Sequence, residues 1–491
     1  MTTINVFSAM APGSSTKQNS CQFTNWYIEQ PSEGGISKAL LKPCPGLLEY
    51  LQISASGAIR DLIVHKDVLY VVLNDSVYSV STSPAATLLG TLGTTEGPVT
   101  SARSSDYIVW VDGNEGRYYK ISTSTFGTIS DANFPDTTDS IAFKDGYFYA
   151  KVPDTGSTVG AFCSSQLNDP TTWTPYAQES ANTDADRLVT IFSDTKYVYM
   201  FGEETVEFWV QYANAGSSVP LVRQLASNIL VGCAAGKSVV KGQDGVYFLS
   251  RSKSGRCHIC KIDADRLSLS VLDTPEMHVV LSELDTVSDA FAYIYQEKGH
   301  EFYVLTFPTE EKTYVYDSQT KIFHERTSYL PSLNPGLGYI RHRSTCYAFF
   351  NGKHIVGDIL SGTLFEMSEN YYDEDGTQIL RTATSAPLYI DNEPFSLYNI
   401  EVGMEPGTAL VSGTGSDPSL EMRVSRDGGF TYGSWMSRSV GQIGEYSKRV
   451  LWNRLGQARS FVLQFRASDP IKWILLAVTA TIEAQDEKDN R

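Results

Sequence analysis

"VLYVVLNDSVYSVS", Val68–Ser81, is two short strands around a tight turn. "VLYVVL" is β-branched and aromatic, as strand residues are. Asn74 and Asp75 suit the turn, and "SVYSVS" returns in alternation. A single hairpin like this cannot bury both its faces. The chain repeats it. "YIVWVDG", "GYFYAKV", "KYVYMFG", "GVYFLS", "EFYVLTF" and "YAFFNGK" are runs of the same kind, each bounded by Asp, Gly, Asn or Ser. With Leu69, Ile108, Phe148, Val198, Tyr247, Tyr303 and Ala348 as markers, the spacings are 39, 40, 50, 49, 56 and 45 residues. Most runs are followed by a second short strand, as in "RYYKIS", "ETVEFWV", "RCHICKI", "KTYVYD" and "GTLFEMS". A β unit returning at this period predicts a β-propeller, in which radial stacking covers the faces that one blade cannot bury.

The expected fold is all-β, with a propeller of six or seven blades over residues 56–368. Residues 1–55 are punctuated by Pro and Gly and read as an extended N-terminal arm. Residues 369–386 read as a linker. Longer strands follow in "FSLYNIEV", "LEMRVSRD", "SFVLQFRA" and "WILLAVTATI", and predict a separate C-terminal β-sandwich over 387–485. The tail 486–491 reads as disordered.

Composition agrees with a packed, turn-rich β protein. Of 491 residues, 42% are hydrophobic and 12% aromatic, while only 19% are charged. The net charge of -17 argues against a chain that grips phosphates, which would present a basic surface. Seven scattered cysteines, Cys21, Cys44, Cys163, Cys233, Cys257, Cys260 and Cys346, form no disulfide framework. The N-terminus lacks the charged and apolar regions of a signal peptide. "WILLAVTATI" is too short to span a bilayer, so no membrane anchor is expected.

Several motifs fail on spacing. "GCAAGKS", Gly232–Ser238, has three residues between Gly and Gly-Lys where a phosphate loop needs four, and it precedes a strand. "YYDEDG", Tyr371–Gly376, has Tyr371 where a calcium loop needs its first acid and reads as a solvated acidic turn. "CHIC", Cys257–Cys260, lacks a second ligand pair for zinc and alternates as a strand would. His342 stands beside Arg341 and Arg343, which disfavours its charged form. No catalytic residue, metal or cofactor is expected.

"SRDGGFTYGSW", Ser425–Trp435, carries Ser425, Asp427, Gly429, Thr431 and Tyr432 in the Asp-box pattern. Asp427 can accept amides ahead of it, and Gly428 and Gly429 can take positive φ. Thr431 and Tyr432 suit a returning strand. The pattern is a structural hairpin recipe. Glycan-cleaving propellers repeat it, but it stands once here, in the sandwich.

Four segments carry a family resemblance. "YVYMFGEETVEFW" (Tyr197–Trp209), "SVVKGQDGVYFLSR" (Ser238–Arg251), "TYVYDSQTKIFHER" (Thr313–Arg326) and above all "YSKRVLWNRLGQAR" (Tyr446–Arg459) are similar to segments of the tail hub proteins of short-tailed phages. These are also called packaged-DNA stabilisation or head-closure proteins. "NWYIE" and "PCPGL" resemble the family's opening arm. The resemblance implies a structural virion protein of the viral tail, not an enzyme, assembled in the host cytoplasm. It implies a ring homo-oligomer, a hexamer, that closes the DNA exit channel below portal and adaptor rings. Its implied partners are those connector proteins, the tail needle, fibre or spike proteins, and packaged DNA in non-specific contact. Two other readings stand beside it: a sialidase-like glycan hydrolase, suggested by the Asp-box, and a host-glycan-binding module on a propeller. Within "YSKRVLWNRLGQAR", Lys448, Arg449, Trp452, Arg454 and Arg459 are the candidate partner contacts. Alternation places Arg449 and Leu451 on one strand face and Val450 and Trp452 on the other, with Gly456 at a turn.

Overall fold

The computed structural model describes residues 2–5, 11–12, 20–30, 40–154, 159–174, 186–212, 220–224, 228–251, 256–336, 338–390, 393–405 and 407–484. Among them the one α-helix is Pro275–Ser282; nearly everything else regular is strand.

The opening hairpin sits in the first of seven antiparallel units. Val68–Leu73 and Ser76–Ser81 are the second and third strands of a sheet ordered Ile59–His65, Val68–Leu73, Ser76–Ser81, Ala86–Thr91. Further units begin at Thr100–Arg103, Ile141–Lys144, Leu188–Ser193, Gly232–Cys233, Phe291–Glu297 and Ser344–Phe350. Seven hydrophobic cores lie between them, one at each junction. The core joining Ile59, Leu69 and Val71 to Ala348, Ile355 and Leu364 brings the last unit against the first and closes the ring. The propeller has seven blades.

This packing explains why the sequence runs were visible. A second strand has a neighbouring blade on each face, so it is apolar on both. Tyr199 and Phe201 join one junction while Val198 and Met200 join the one before. Six of the seven markers lie on second strands. Ala348 lies on the first strand of the seventh blade, because its second strand, Lys353–Asp358, has few aromatics.

The boundary expected at residue 55 cuts through the closure. Gly46–Ser54 pairs antiparallel with Gly362–Ser368 and is the fourth strand of blade seven. An early strand thus completes the last blade. Gly46 is needed there, since a Cβ would lie 2.4 Å from the Asp373 carbonyl oxygen. The rest of the supposed arm is also in sheets. Trp26–Glu29 and Leu40–Pro43 join the sandwich sheet that contains Leu475–Ala484, Phe395–Met404 and Val450–Ala458. Ser20–Thr24 lies between blade six and the other sandwich sheet, pairing with Glu325 on one side and Thr382–Thr384 on the other.

The linker expected at 369–386 contains Arg381–Thr384, which is a strand of that second sheet and pairs with Ser460–Ala467. Its acidic turn is solvated only in part: Asp375 and Gly376 are exposed, but Glu374 is not. Glu374 is buried, and the Ser328 hydroxyl donates to it at 3.0 Å. The sandwich is not packed separately: one core runs from Tyr247, Leu249 and Tyr303 of blades five and six through Trp26 to Trp452, Phe465 and Trp473. The tail 486–491 lies outside the described residues.

Buried charge braces blades six and seven near the closing strand. Arg343 grips Asp358 two-pronged at 2.8 and 3.0 Å. Arg326, fully buried, donates to the Pro45 carbonyl at 2.8 Å. His342 sits among these groups. Burial, then Arg326, Arg343 and Arg341, hold its pKa well below that of an ordinary imidazole.

Candidate interaction surface

The basic segment begins on the loop before Val450–Ala458, the edge strand of its sandwich sheet, paired to Phe395–Met404. Val450 and Trp452 face the core, and Arg449 faces solvent, as alternation requires. Trp452 is 0% exposed, packs edge-on against Phe465 and donates its indole N–H to the Met436 carbonyl at 2.9 Å. It is a core residue and cannot contact a partner, which corrects its place among the candidates. Gly456 does not mark a turn either. It lies inside the strand at φ +93°, with Arg454 at φ +59°, where the register against Leu397 and Asn399 shifts. That β-bulge kinks the strand and leaves Arg454 exposed.

The exposed charges differ in how they are engaged. Arg449 forks onto Glu401 of its own chain, with both bonds at 2.7 Å. The pairing lowers the Glu401 pKa. Lys448 lies 3.8 Å from Glu445. Arg454 and Arg459 are exposed and close in sequence to the bulge.

The Asp-box forms the turn its residues specify. Gly428 and Gly429 take φ of +83° and +102°. Asp427 accepts the Thr431 amide at 2.9 Å and hydroxyl at 2.6 Å, and the Ser425 hydroxyl at 2.6 Å. Those bonds, the Ser425 hydroxyl first, hold its carboxyl well below the usual range. Thr431 and Tyr432 do not enter a strand, since the next one is Met436–Ser439. Instead the loop folds back over the sheet. The Arg423 guanidinium stacks 4.6 Å from Tyr432 and 4.5 Å from Trp435, and Arg466 stacks 4.1 Å from Trp435. Arg423 also donates to Gln464 at 2.6 Å, and Arg466 pairs with Glu421. The arginines beside the Asp-box are thus engaged within the chain. The sequence reading missed this Arg–Trp–Arg layer. Its signal was present in Trp435, and in the alternation that puts Glu421, Arg423, Gln464 and Arg466 on one face.

The propeller bore is the other concave feature. A cavity of about 1200 Å³ runs among the innermost strands, lined by acidic and basic side chains in equal number. Lys237, on a one-turn 3-10 helix in blade five, reaches across to donate to the Val99 carbonyl ahead of blade two. Burial lowers the Lys237 pKa and raises that of nearby Asp61. Gly232 of "GCAAGKS" serves backbone packing. A Cβ at Gly232 would stand 1.9 Å from the Glu203 carbonyl oxygen of blade four.

Two family models match this chain. The β-propeller of bacteriophage P22 Gp10 matches residues 21–372, and the β-sandwich of the same protein matches 381–483. The chain belongs to the bacteriophage P22 Gp10 family. It is accordingly a structural protein of a phage tail, and the P22 Gp10 propeller match begins at residue 21, taking in the strand that closes blade seven. No curated protein matches it in sequence. Solved structures are similar only at a distance. The extracellular domain of a protein described as a one component system from B. thetaiotaomicron has 8% identity and a TM-score of 0.43, covering 83% of this chain and 47% of that one. This chain therefore spans about half the length of that relative. The Neurospora crassa Pan2 WD40 domain has 8% identity and a TM-score of 0.40, covering 64% and 89%. The computationally designed Ika8 protein has 11% identity and a TM-score of 0.37, covering 65% and 99%.

Proposed function

We propose that this Gp10-family protein is the tail hub. Several copies form a ring, a hexamer, below the portal and adaptor rings, close the DNA exit channel, and carry the needle, fibre or spike proteins. The observation that carries this reading is the match over both domains, in the order propeller then sandwich. The geometry adds a physical constraint. A bore crossed by Lys237 and lined by side chains is no passage for a duplex, so the DNA path belongs between copies of the chain. With a net charge of -17, such a path retains DNA by blockage. Contact with DNA is then non-specific, without base readout.

Arg454 and Arg459 are the proposed contacts to an acidic surface on a neighbouring subunit or adaptor. Their test is the double substitution Arg454→Glu with Arg459→Glu. Both side chains are exposed, so the purified variant keeps its melting temperature within a few degrees. Its incorporation into particles is lost, and heads leak DNA. Normal incorporation contradicts the contact role. A variant that fails to fold assigns these arginines to the sandwich itself.

A further inference from the structure

The "CHIC" segment fails as a cysteine site for a geometric reason. Cys257 and Cys260 are both buried and enter different cores, on opposite faces of the third strand of blade five. The residue between them that faces outward is His258. Its Nδ1 lies 3.0 Å from Oδ2 of Asp273, in the connection that follows the blade. The helix Pro275–Ser282 starts directly after that connection, capped by Thr274. It brings His278 Nδ1 to 3.7 Å from the same carboxylate oxygen. The two imidazole rings lie parallel, 8° apart in plane and 4.4 Å between centroids.

We propose that His258, Asp273 and His278 bind a divalent transition-metal ion of the zinc class. The ion clamps the helix Pro275–Ser282 onto blade five.

Three observations carry this. The three donor atoms lie within 4.8 Å of one another. Metal–ligand bonds of about 2.0–2.2 Å put tetrahedral donors about 3.3–3.6 Å apart, and the separations of 3.0 and 3.7 Å lie on either side of that. Second, His278 Nδ1 is buried without a hydrogen-bond partner, because 3.7 Å is too far from Asp273 for one. A cation bound at Nδ1 in the plane of the His278 ring would satisfy it. Third, Asp273 is firmly held. Its side chain is 2% exposed, and its Oδ1 accepts the Ile259 amide at 2.9 Å, leaving Oδ2 toward the histidines. Carboxylate and imidazole donors suit zinc, nickel and copper rather than magnesium or calcium. Three protein ligands leave a fourth position, which water fills. The helix also packs through Met277 and Leu281 into the core shared with the sandwich, so the clamp reinforces that junction.

The experiment uses the full chain, stripped of metal with a chelator and then titrated with Co²⁺ and Zn²⁺. Expected are the visible absorption bands of tetrahedral Co²⁺, one equivalent of Zn²⁺ by calorimetry, and a rise in Tm with added Zn²⁺. His258→Ala and His278→Ala each remove the bands and the rise. Asp273→Asn, which keeps the side chain's shape and its bond to Ile259, weakens Zn²⁺ binding at least tenfold. If the unsubstituted protein shows neither bands nor stoichiometric Zn²⁺ binding at micromolar metal, the site does not exist. Binding that survives in the Asp273→Asn and His278→Ala variants places the metal elsewhere and overturns the assignment equally.

Discussion

At the residue scale, the side chains that look most like functional ligands in the sequence divide by burial. Trp452 and Arg449 are three positions apart in the most family-specific segment, yet one is 0% and the other 68% exposed. Trp452→Ala removes a fully buried indole and its bond to Met436, and is expected to cost about 3–5 kcal/mol in denaturant unfolding. Arg449→Glu breaks an exposed pair with Glu401 and costs about 1 kcal/mol or less. Strand alternation put the two on opposite faces without showing which face is buried, and both stood among the candidate contacts. The acceptor on Met436 and the fork on Glu401 were not legible, because both lie on other strands. His342 was legible in part. Its arginine neighbours are adjacent in sequence, but burial is the larger cause of its shift.

The buried histidines set a pH dependence. Burial, then Arg326, lowers the His324 pKa from 6.5 to about 3, and His342 shifts the same way. The unfolded chain takes up protons as pH falls through 6.5, while these folded imidazoles do not. Their contribution is therefore complete above 6.5 and falls as pH drops from there towards 3. His300 acts oppositely. Its hydrogen bond to Asp317 raises its pKa, so its contribution is present at low pH and lost as pH rises through the folded value. Burial lowers the pKa of His65 and His354 as well, so with four histidines against one, Tm is expected to fall between neutral pH and about pH 5. His324→Phe, set beside Tyr27 and Phe302, should reduce that fall. An unchanged pH profile in this variant contradicts the assignment.

At the element scale, the second strands were readable because they are apolar on both faces, and the closing strand was not. Gly46–Ser54 is buried on one side only near its start, and exposes Leu48, Glu49 and Gln52. Its partner lies over three hundred residues away, a pairing no local pattern contains. Distance also hid the strand Arg381–Thr384, whose partners are Ser20–Thr24, over three hundred residues away, and Ser460–Ala467. Closure by Gly46–Ser54 makes a direct prediction. Leu47 is fully buried among Val356, Phe365 and Tyr293, so Leu47→Ala should cost about 2–5 kcal/mol. Amide hydrogen exchange should quicken first in 344–368, the blade that this strand completes. Unchanged exchange there, with loss elsewhere, contradicts a closing role.

At the scale of the whole molecule, propeller and sandwich share one hydrophobic core. A load on the sandwich therefore reaches the propeller through packed side chains and not through a hinge. That continuity suits a structural part of a phage tail. The function proposed for it is retention of packaged DNA by closing the exit channel. The most direct measurement starts from DNA-filled heads that carry portal and adaptor rings but lack this protein. Purified protein is added, and nuclease-resistant DNA is followed over time. The account predicts that the heads lose DNA alone and retain it once the protein has bound in a ring. Heads that hold their DNA without it, or leak at the same rate with the ring in place, would contradict the claim.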